Sequence, residues 1–349
     1  MTVRNPVWHS DPGKGTLRTM RICVIGAGAM GSVFGGLLAR AGNEVVLVDI
    51  WPEHVAAVNA SGLRLDGVAG ELNIRVRAEA SPPAGMQADL AMIWTDSNNT
   101  RSAAGQARGV LGPQGFAVTL QNGIGNVETL IEVLGAERVA AGSSMCSAAM
   151  RGPGHSGFTH MGMTSVGEVA GGSSARTEAL RAALAGAGFE VRAHADIMSL
   201  VWTKFALNCS INALCAASGL RHGEFARLPA MDGLQDLVID EILAVTAARG
   251  ITLDYPDFRA TVKKHCWLKF SRPSMLQHID AGKRTEIDAL NARLVEEGKR
   301  LGVATPYNDA VARLLKGVEH KRREAAGRSE ADYAALEEKA RTEPQPPGR

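Results

Sequence analysis

Gly26, Gly28 and Gly31 stand in the string Gly26-Ala27-Gly28-Ala29-Met30-Gly31, a GxGxxG that follows the apolar run Arg21 to Ile25 and opens a segment of helical spacing from Met30 to Arg40. In that position each glycine has its own task. Gly26 allows a tight turn, Gly28 lets the backbone approach a pyrophosphate, and Gly31 lets the helix pack closely on the strand. Phosphate then rests on the free amides and positive dipole of the helix start, with Ala27, Ala29 and Met30 completing the loop. Asp49 ends the next apolar run, Val45 to Val48, near the spacing of about 20 residues at which an acid meets the adenosine ribose. A carboxylate there accepts from ribose hydroxyls and repels a 2′-phosphate, which favours NADH over NADPH. The competing reading makes Asp49 a turn former ahead of Trp51-Pro52. In a chain with 39 glycines the motif gains its weight from the strand, turn and helix around it.

A second constellation lies in the other half of the chain. Lys204, Asn208 and Asn212 are spaced i, i+4, i+8, so they share one face of a single helix. An ammonium and two carboxamides flanked by Phe205, Leu207 and Ile211 suit a ligand. Aimed at a carbonyl oxygen, the ammonium stabilises developing negative charge and can donate a proton. A lone helical lysine is more often a solvated surface residue, so the spacing by itself leaves both readings open.

The elements that must carry these groups follow from pattern and composition. At 349 residues the chain exceeds one hydrophobic core, and two domains are expected. The 45% hydrophobic and 21% charged content is that of a packed globular protein. A net charge of +2, from 38 basic and 36 acidic residues, gives no case for nucleic acid or an anionic membrane as partner. Strand-like runs at Arg21 to Ile25, Val45 to Val48, Leu90 to Trp94 and Phe116 to Leu120 are separated by crossover-length segments, the texture of a parallel doubly wound α/β sheet of six or more strands. From about Asp196 the pattern turns helical, with stripes at Leu200, Phe205, Leu207, Ile211, Leu214 and at Leu234, Leu237, Val238, Ile242, Val245. Thr285-Glu286-Ile287-Asp288 reads as a capping box opening a helix with the stripe Ile287, Leu290, Leu294, Leu301. The expected divisions are an extension at 1–19, a dinucleotide-binding domain at 20–195, a helical domain at 196–318 and a charged tail at 319–349. No apolar stretch reads as long enough to span a bilayer. Five cysteines without a CxxC pair read as reduced core thiols of a cytoplasmic protein, and no metal site is expected.

Five strings together resemble the signature blocks of the ketopantoate reductase family: the glycine motif, Gln121-Asn122-Gly123-Ile124-Gly125, Trp202 to Asn212, Ser274-Met275-Leu276-Gln277 and Lys283 to Asp288. The resemblance spans about residues 20 to 318. It implies a Rossmann domain followed by an all-helical domain of the 6-phosphogluconate dehydrogenase type, with the active site in the cleft between them. It implies NAD(P)H-dependent reduction of 2-dehydropantoate to pantoate, as in pantothenate biosynthesis. Lys204 would supply the proton, and Glu286 would join it by binding hydroxyls of substrate or nicotinamide ribose. Asn208, Asn212 and Ser274 would bind substrate, Asn122 would sit where substrate and cofactor meet, and the Ala148 backbone would touch the cofactor. Read singly, Glu286 is a first-turn acid, Ser274 a cap and Asn122 a turn residue. A homodimer is compatible with the resemblance.

The chain departs from the family pattern at four places. Asp96 stands where the family has a cofactor-contacting lysine, and Ile50 where a basic residue reads the NADP phosphate. His222 stands in place of a substrate-binding asparagine, and His278 in place of an aspartate. Each histidine is either a pH-dependent hydrogen-bond donor to an acid or a packed or surface side chain. The substitutions admit two other functions, a dehydrogenase of another, larger or aromatic 2-hydroxy acid and a dinucleotide-sensing protein without turnover.

Overall fold

The apolar runs become strands and the segments between them helices, in the order β1 (Arg21–Ile25), α1 (Ala29–Arg40), β2 (Glu44–Val48), α2 (Pro52–Ser61), β3 (Leu63–Gly67), β4 (Leu72–Ile74), β5 (Arg77–Glu79) and β6 (Ala88–Ile93). Then come α3 (Thr100–Val110), β7 (Leu111–Thr119), α4 (Asn126–Leu134), β8 (Val139–Ser144), β9 (Ser147–Gly152), β10 (His155–His160), β11 (Thr164–Glu168), α5 (Ala175–Gly186) and β12 (Val191–Ala193). The remainder is helical: α6 (Ile197–Ser218), α7 (His222–Phe225), α8 (Pro229–Ala248), α9 (Phe258–Leu268), α10 (Ser274–Asp280), α11 (Asn291–Leu301) and α12 (Pro306–Ala325). This computed structural model describes residues 19–325, 337–339 and 341. The extension expected at 1–19, Thr19 apart, and most of the tail expected at 319–349 lie outside the described residues, while 319–325 continue α12.

The main sheet has eight strands in the order β12-β11-β8-β7-β6-β1-β2-β5. Neighbours from β5 to β8 are all parallel, while β11 runs antiparallel to β8 and β12 parallel to β11. Strand order reverses at β1, which has β2 on one side and β6 on the other, so the carboxyl ends of β1 and β6 form a switch point where open α/β sheets take ligands. Both faces are covered, as parallel sheets require. Ile22 and Val24 of β1 join Phe34, Leu37 and Leu38 of α1 in one core, and Cys23 and Ile25 join Ala103, Ala107 and Leu130 in the other. A four-stranded sheet in the order β4-β3-β10-β9 had no counterpart in the sequence reading.

The chain divides into two compact units. One holds residues up to Phe205 together with Gly250–Pro256, and the other Ala206–Arg249 with the residues from Asp257. In the second, Val238, Ile239, Ile242 and Val245 of α8 are buried, whereas Leu237, expected in the same stripe, is exposed.

Two expectations need correction. The residues from Thr285 do not open a helix, because α11 starts at Asn291 with Leu290 as its N-cap. The Thr285 hydroxyl and amide instead both donate to Glu319, at 2.6 and 2.9 Å, and the chain turns through Glu286 to Leu290 before the helix begins. Helix α6, of 22 residues, is also long and apolar enough to cross a membrane. Since most of it is buried inside the fold, it is a core helix whose apolar surface serves packing.

Candidate active site

The glycine loop is shaped from below by its own backbone. Gly26 has φ +95° and donates, with Ala27, to the Val48 carbonyl at 2.9 and 3.0 Å. A Cβ on Gly26 would lie 2.7 Å from the Thr95 nitrogen, and one on Gly31 would lie 2.0 Å from the Gly26 carbonyl oxygen. Those two glycines are demanded by internal packing. Gly28 is different, because a Cβ there would meet nothing within 4 Å. Gly28 is the N-cap of α1 without a side-chain cap, and the first turn, Ala29, Met30 and Gly31, carries no acid. Open space at the uncapped start of a helix fits a pyrophosphate.

Beside it lies a cavity of about 300 Å³ lined by Gly26, Gly28, Asp49, Ile50 and Asp96 among others. Asp49 Oδ1 accepts from the Trp51 amide at 3.0 Å, so the turn-forming role is real for one oxygen, while its other oxygen has no partner among the described residues. Ile50 and Asp96 are exposed at the cavity. The Asp96 and Asn122 loops, at the carboxyl ends of β6 and β7, are pinned together. Gln121 Nε2 donates to the Thr95 carbonyl, Ser97 Oγ reaches the Asn122 carbonyl at 3.5 Å, and Asn126 Nδ2 donates to the same carbonyl at 3.0 Å. Ala148 is half-buried on β9, opposite Phe158 in the smaller sheet.

Lys204 is placed by the first turns of α6. Asp196 accepts from the Ser199 amide at 3.0 Å, Ser199 Oγ donates to the Thr252 carbonyl at 2.5 Å, and Thr203 Oγ1 accepts from the Asp254 amide at 2.7 Å. With the helix rotation fixed, Lys204 Nζ donates to the Ser144 carbonyl at 2.5 Å. Ser144 is the last residue of β8, so the ammonium stands at the carboxyl end of the parallel strands. Sequence reasoning missed Ser144, whose partner lies 60 residues away, and Asn126, and it named Gln121 only within a signature string, without its bond to Thr95 26 residues away.

In the second unit, Asn208 and Asn212 continue the Lys204 face of α6 by one and two turns. Asn212 is 9% exposed, and neither carboxamide has a hydrogen-bond partner among the described residues. His222 is buried, with Nδ1 donating to the Ser271 carbonyl at 2.5 Å and its ring 5.6 Å from that of His265. Burial holds its pKa below the usual imidazole value, with Lys269 adding to the effect against the Ser271 bond. Ser274, exposed, is the first residue of α10 and follows that Ser271 segment. Glu286 is half-buried in the turn before α11, and His278 has a buried Nδ1 without a hydrogen-bond partner among the described residues.

Residues 22–171 match the sequence model described as ketopantoate reductase PanE/ApbA, and residues 196–319 match that of its C-terminal part. The chain belongs to the ketopantoate reductase family. Within this ketopantoate reductase family, the 2-dehydropantoate 2-reductase of Pyrococcus abyssi is 32% identical over 305 residues, covering 86% of this chain and 98% of that one. That of Archaeoglobus fulgidus is 30% identical over 304 residues, covering 87% and 99%. Among solved structures, a PanE/ApbA family ketopantoate reductase from Ralstonia eutropha JMP134 is 34% identical with a TM-score of 0.78, covering 87% of this chain and all of that one. D-mandelate dehydrogenase with NADH and anilino(oxo)acetate is 26% identical with a TM-score of 0.77, covering 87% and 99%.

Proposed function

We propose that this chain is an NAD(P)H-dependent reductase of a 2-keto acid, with 2-dehydropantoate as substrate and pantoate as product. The observation that carries the reading is the Lys204 ammonium, held on the Ser144 carbonyl at the same end of the sheet as the open cradle at Gly28. A nicotinamide held at this site would supply the hydride for the 2-keto carbon. Lys204 Nζ stabilises the charge that grows on the keto oxygen and passes a proton to it. Asn208 and Asn212 hold the substrate along the same helix face, Ser274 takes its carboxylate, and Glu286 binds hydroxyls of the substrate or the nicotinamide ribose. The Asn122 side chain and the Ala148 backbone meet the cofactor, while His222 lines the substrate side. Gly26 to Gly31 hold the pyrophosphate, and Asp49 with Ile50 favours NADH because a 2′-phosphate would meet a carboxylate with no cation from either residue. We place the protein in the cytoplasm, acting on a small molecule.

Following absorbance of NADH and NADPH with a panel of 2-keto acids tests this reading. The expected outcome is turnover with 2-dehydropantoate, faster with NADH. Oxidation of neither dinucleotide with any keto acid would remove the enzymatic reading. The second reading, a dehydrogenase of another 2-hydroxy acid, is favoured by the likeness to D-mandelate dehydrogenase and by His222 and His278. An aromatic keto acid turned over well in place of 2-dehydropantoate would select it.

A further inference from the structure

Eight buried side-chain polar atoms lack a hydrogen-bond partner among the described residues, and three of them, Trp94 Nε1, Thr95 Oγ1 and Gln106 Oε1, belong to residues lining the one cavity at Gly28 and Asp49. Buried polar atoms in native proteins are nearly always paired, so this concentration marks groups waiting for a ligand. Gln106 lies on α3 one turn beyond Ala103, which lines the same wall. Ala80 and Ile50 add apolar surface, and Ile50 is 84% exposed, an aliphatic side chain that the described residues leave uncovered.

A slot of small and aliphatic side chains with one carboxamide matches a purine base, which has flat apolar faces and a polar edge. Adenine offers a donor at N6 beside an acceptor at N7, the pair that a glutamine carboxamide meets with both its atoms. Asn99 also lines the cavity but is exposed, so solvent can satisfy it when no base is present. Gln106 lines the same wall, and its Oε1 has no hydrogen-bond partner among the described residues.

Resting on the reading of this cavity as the dinucleotide site, we propose that Gln106 is the residue that reads the adenine base, Oε1 accepting from the N6 amino group and Nε2 donating to N7. Asp49 serves the ribose and Gly28 the pyrophosphate, which leaves the base edge to α3. Specificity for adenine over other purines then lies in one side chain outside the glycine motif.

The test is a titration of the full-length protein, by NADH fluorescence or calorimetry, with NADH and with nicotinamide hypoxanthine dinucleotide, in which a carbonyl replaces the N6 amino group. The native protein is expected to bind the analogue about tenfold more weakly, at the scale of one bidentate base contact. Gln106→Met, close in length but without the amide, should weaken NADH to the level of the analogue and bring the two constants together. A merely structural role would shift both constants equally and keep their ratio. Equal binding of the two dinucleotides by the native protein, or an unchanged ratio in Gln106→Met, overturns the proposal. Gln106→Leu, which also lacks the amide, replaces Gln106→Met in the comparison should that variant not fold. Failure to bind either dinucleotide overturns the functional reading of the cavity as well, so the two failures are distinct.

Discussion

The Ser144 carbonyl accepts from the Lys204 ammonium, and the proposed chemistry depends on where that ammonium points. Lys204→Ala should lower the turnover number by roughly 10²- to 10⁴-fold on the best keto acid, with NADH binding retained in titration. Lys204→Arg should fail to restore it, since guanidinium holds its proton too tightly and has a different shape. Near-native turnover by Lys204→Ala would move the proton donor elsewhere, with His222 next to be replaced. Cofactor choice also rests on two side chains. Asp49→Ser combined with Ile50→Arg should reverse the ratio of NADH to NADPH affinity, and tighter binding of NADPH by the native protein would contradict the reading of the β2 end. Lys204, Asn208 and Asn212 were legible because helical period alone puts them on one face. Ser144 was not, because a backbone acceptor 60 residues away leaves no trace in local pattern.

At the scale of the element, the glycine loop separates two demands that the motif states in one string. Gly31→Ala drives a Cβ to 2.0 Å from the Gly26 carbonyl oxygen and should destabilise the first unit by about 1–3 kcal/mol, read as a lower melting temperature. Gly28→Ala meets open space at φ −62°, so melting should hold while NADH affinity falls by about tenfold, because the methyl occupies the approach of the pyrophosphate. A Gly28→Ala protein with native affinity would show that the phosphates bind elsewhere. The parallel strands could be read from the sequence because strands buried on both faces are continuous apolar runs. The smaller sheet could not, since β4 has only three residues and β3 pairs in parallel with β10, Arg64 facing His155 far along the chain. The capping-box reading of Thr285 failed for a related reason. The pattern is local, and the competing acceptor, Glu319, is 34 residues away.

Across the second unit, acid stability should be governed by a pair of imidazoles. Burial, together with Lys269 and His222, pushes the His265 pKa down to about 4, and burial lowers that of His222 in the same direction. The unfolded chain, with imidazoles near 6.5, therefore binds more protons than the folded one below that pH. The stability contribution is full above about 6.5 and is lost as pH falls toward about 4. Thermal melts between pH 7 and pH 4 should show the melting temperature falling through this window, and His265→Gln should flatten the fall. A slope unchanged by that substitution would assign acid sensitivity to other groups. The return of Gly250–Pro256 to the first unit has a further consequence, for the order in which the protein can be made. The Thr252 carbonyl and the Asp254 amide anchor Ser199 and Thr203, the residues that set the rotation of the helix bearing Lys204. A nascent chain folding from its N-terminus cannot complete these bonds until Asp254 has emerged, by which point Ala206–Arg249 has already been synthesised. The reductase is therefore assembled out of register with its own synthesis, and a gene cut after Phe205 would encode a nucleotide-binding fragment whose lysine-bearing helix has lost its anchor.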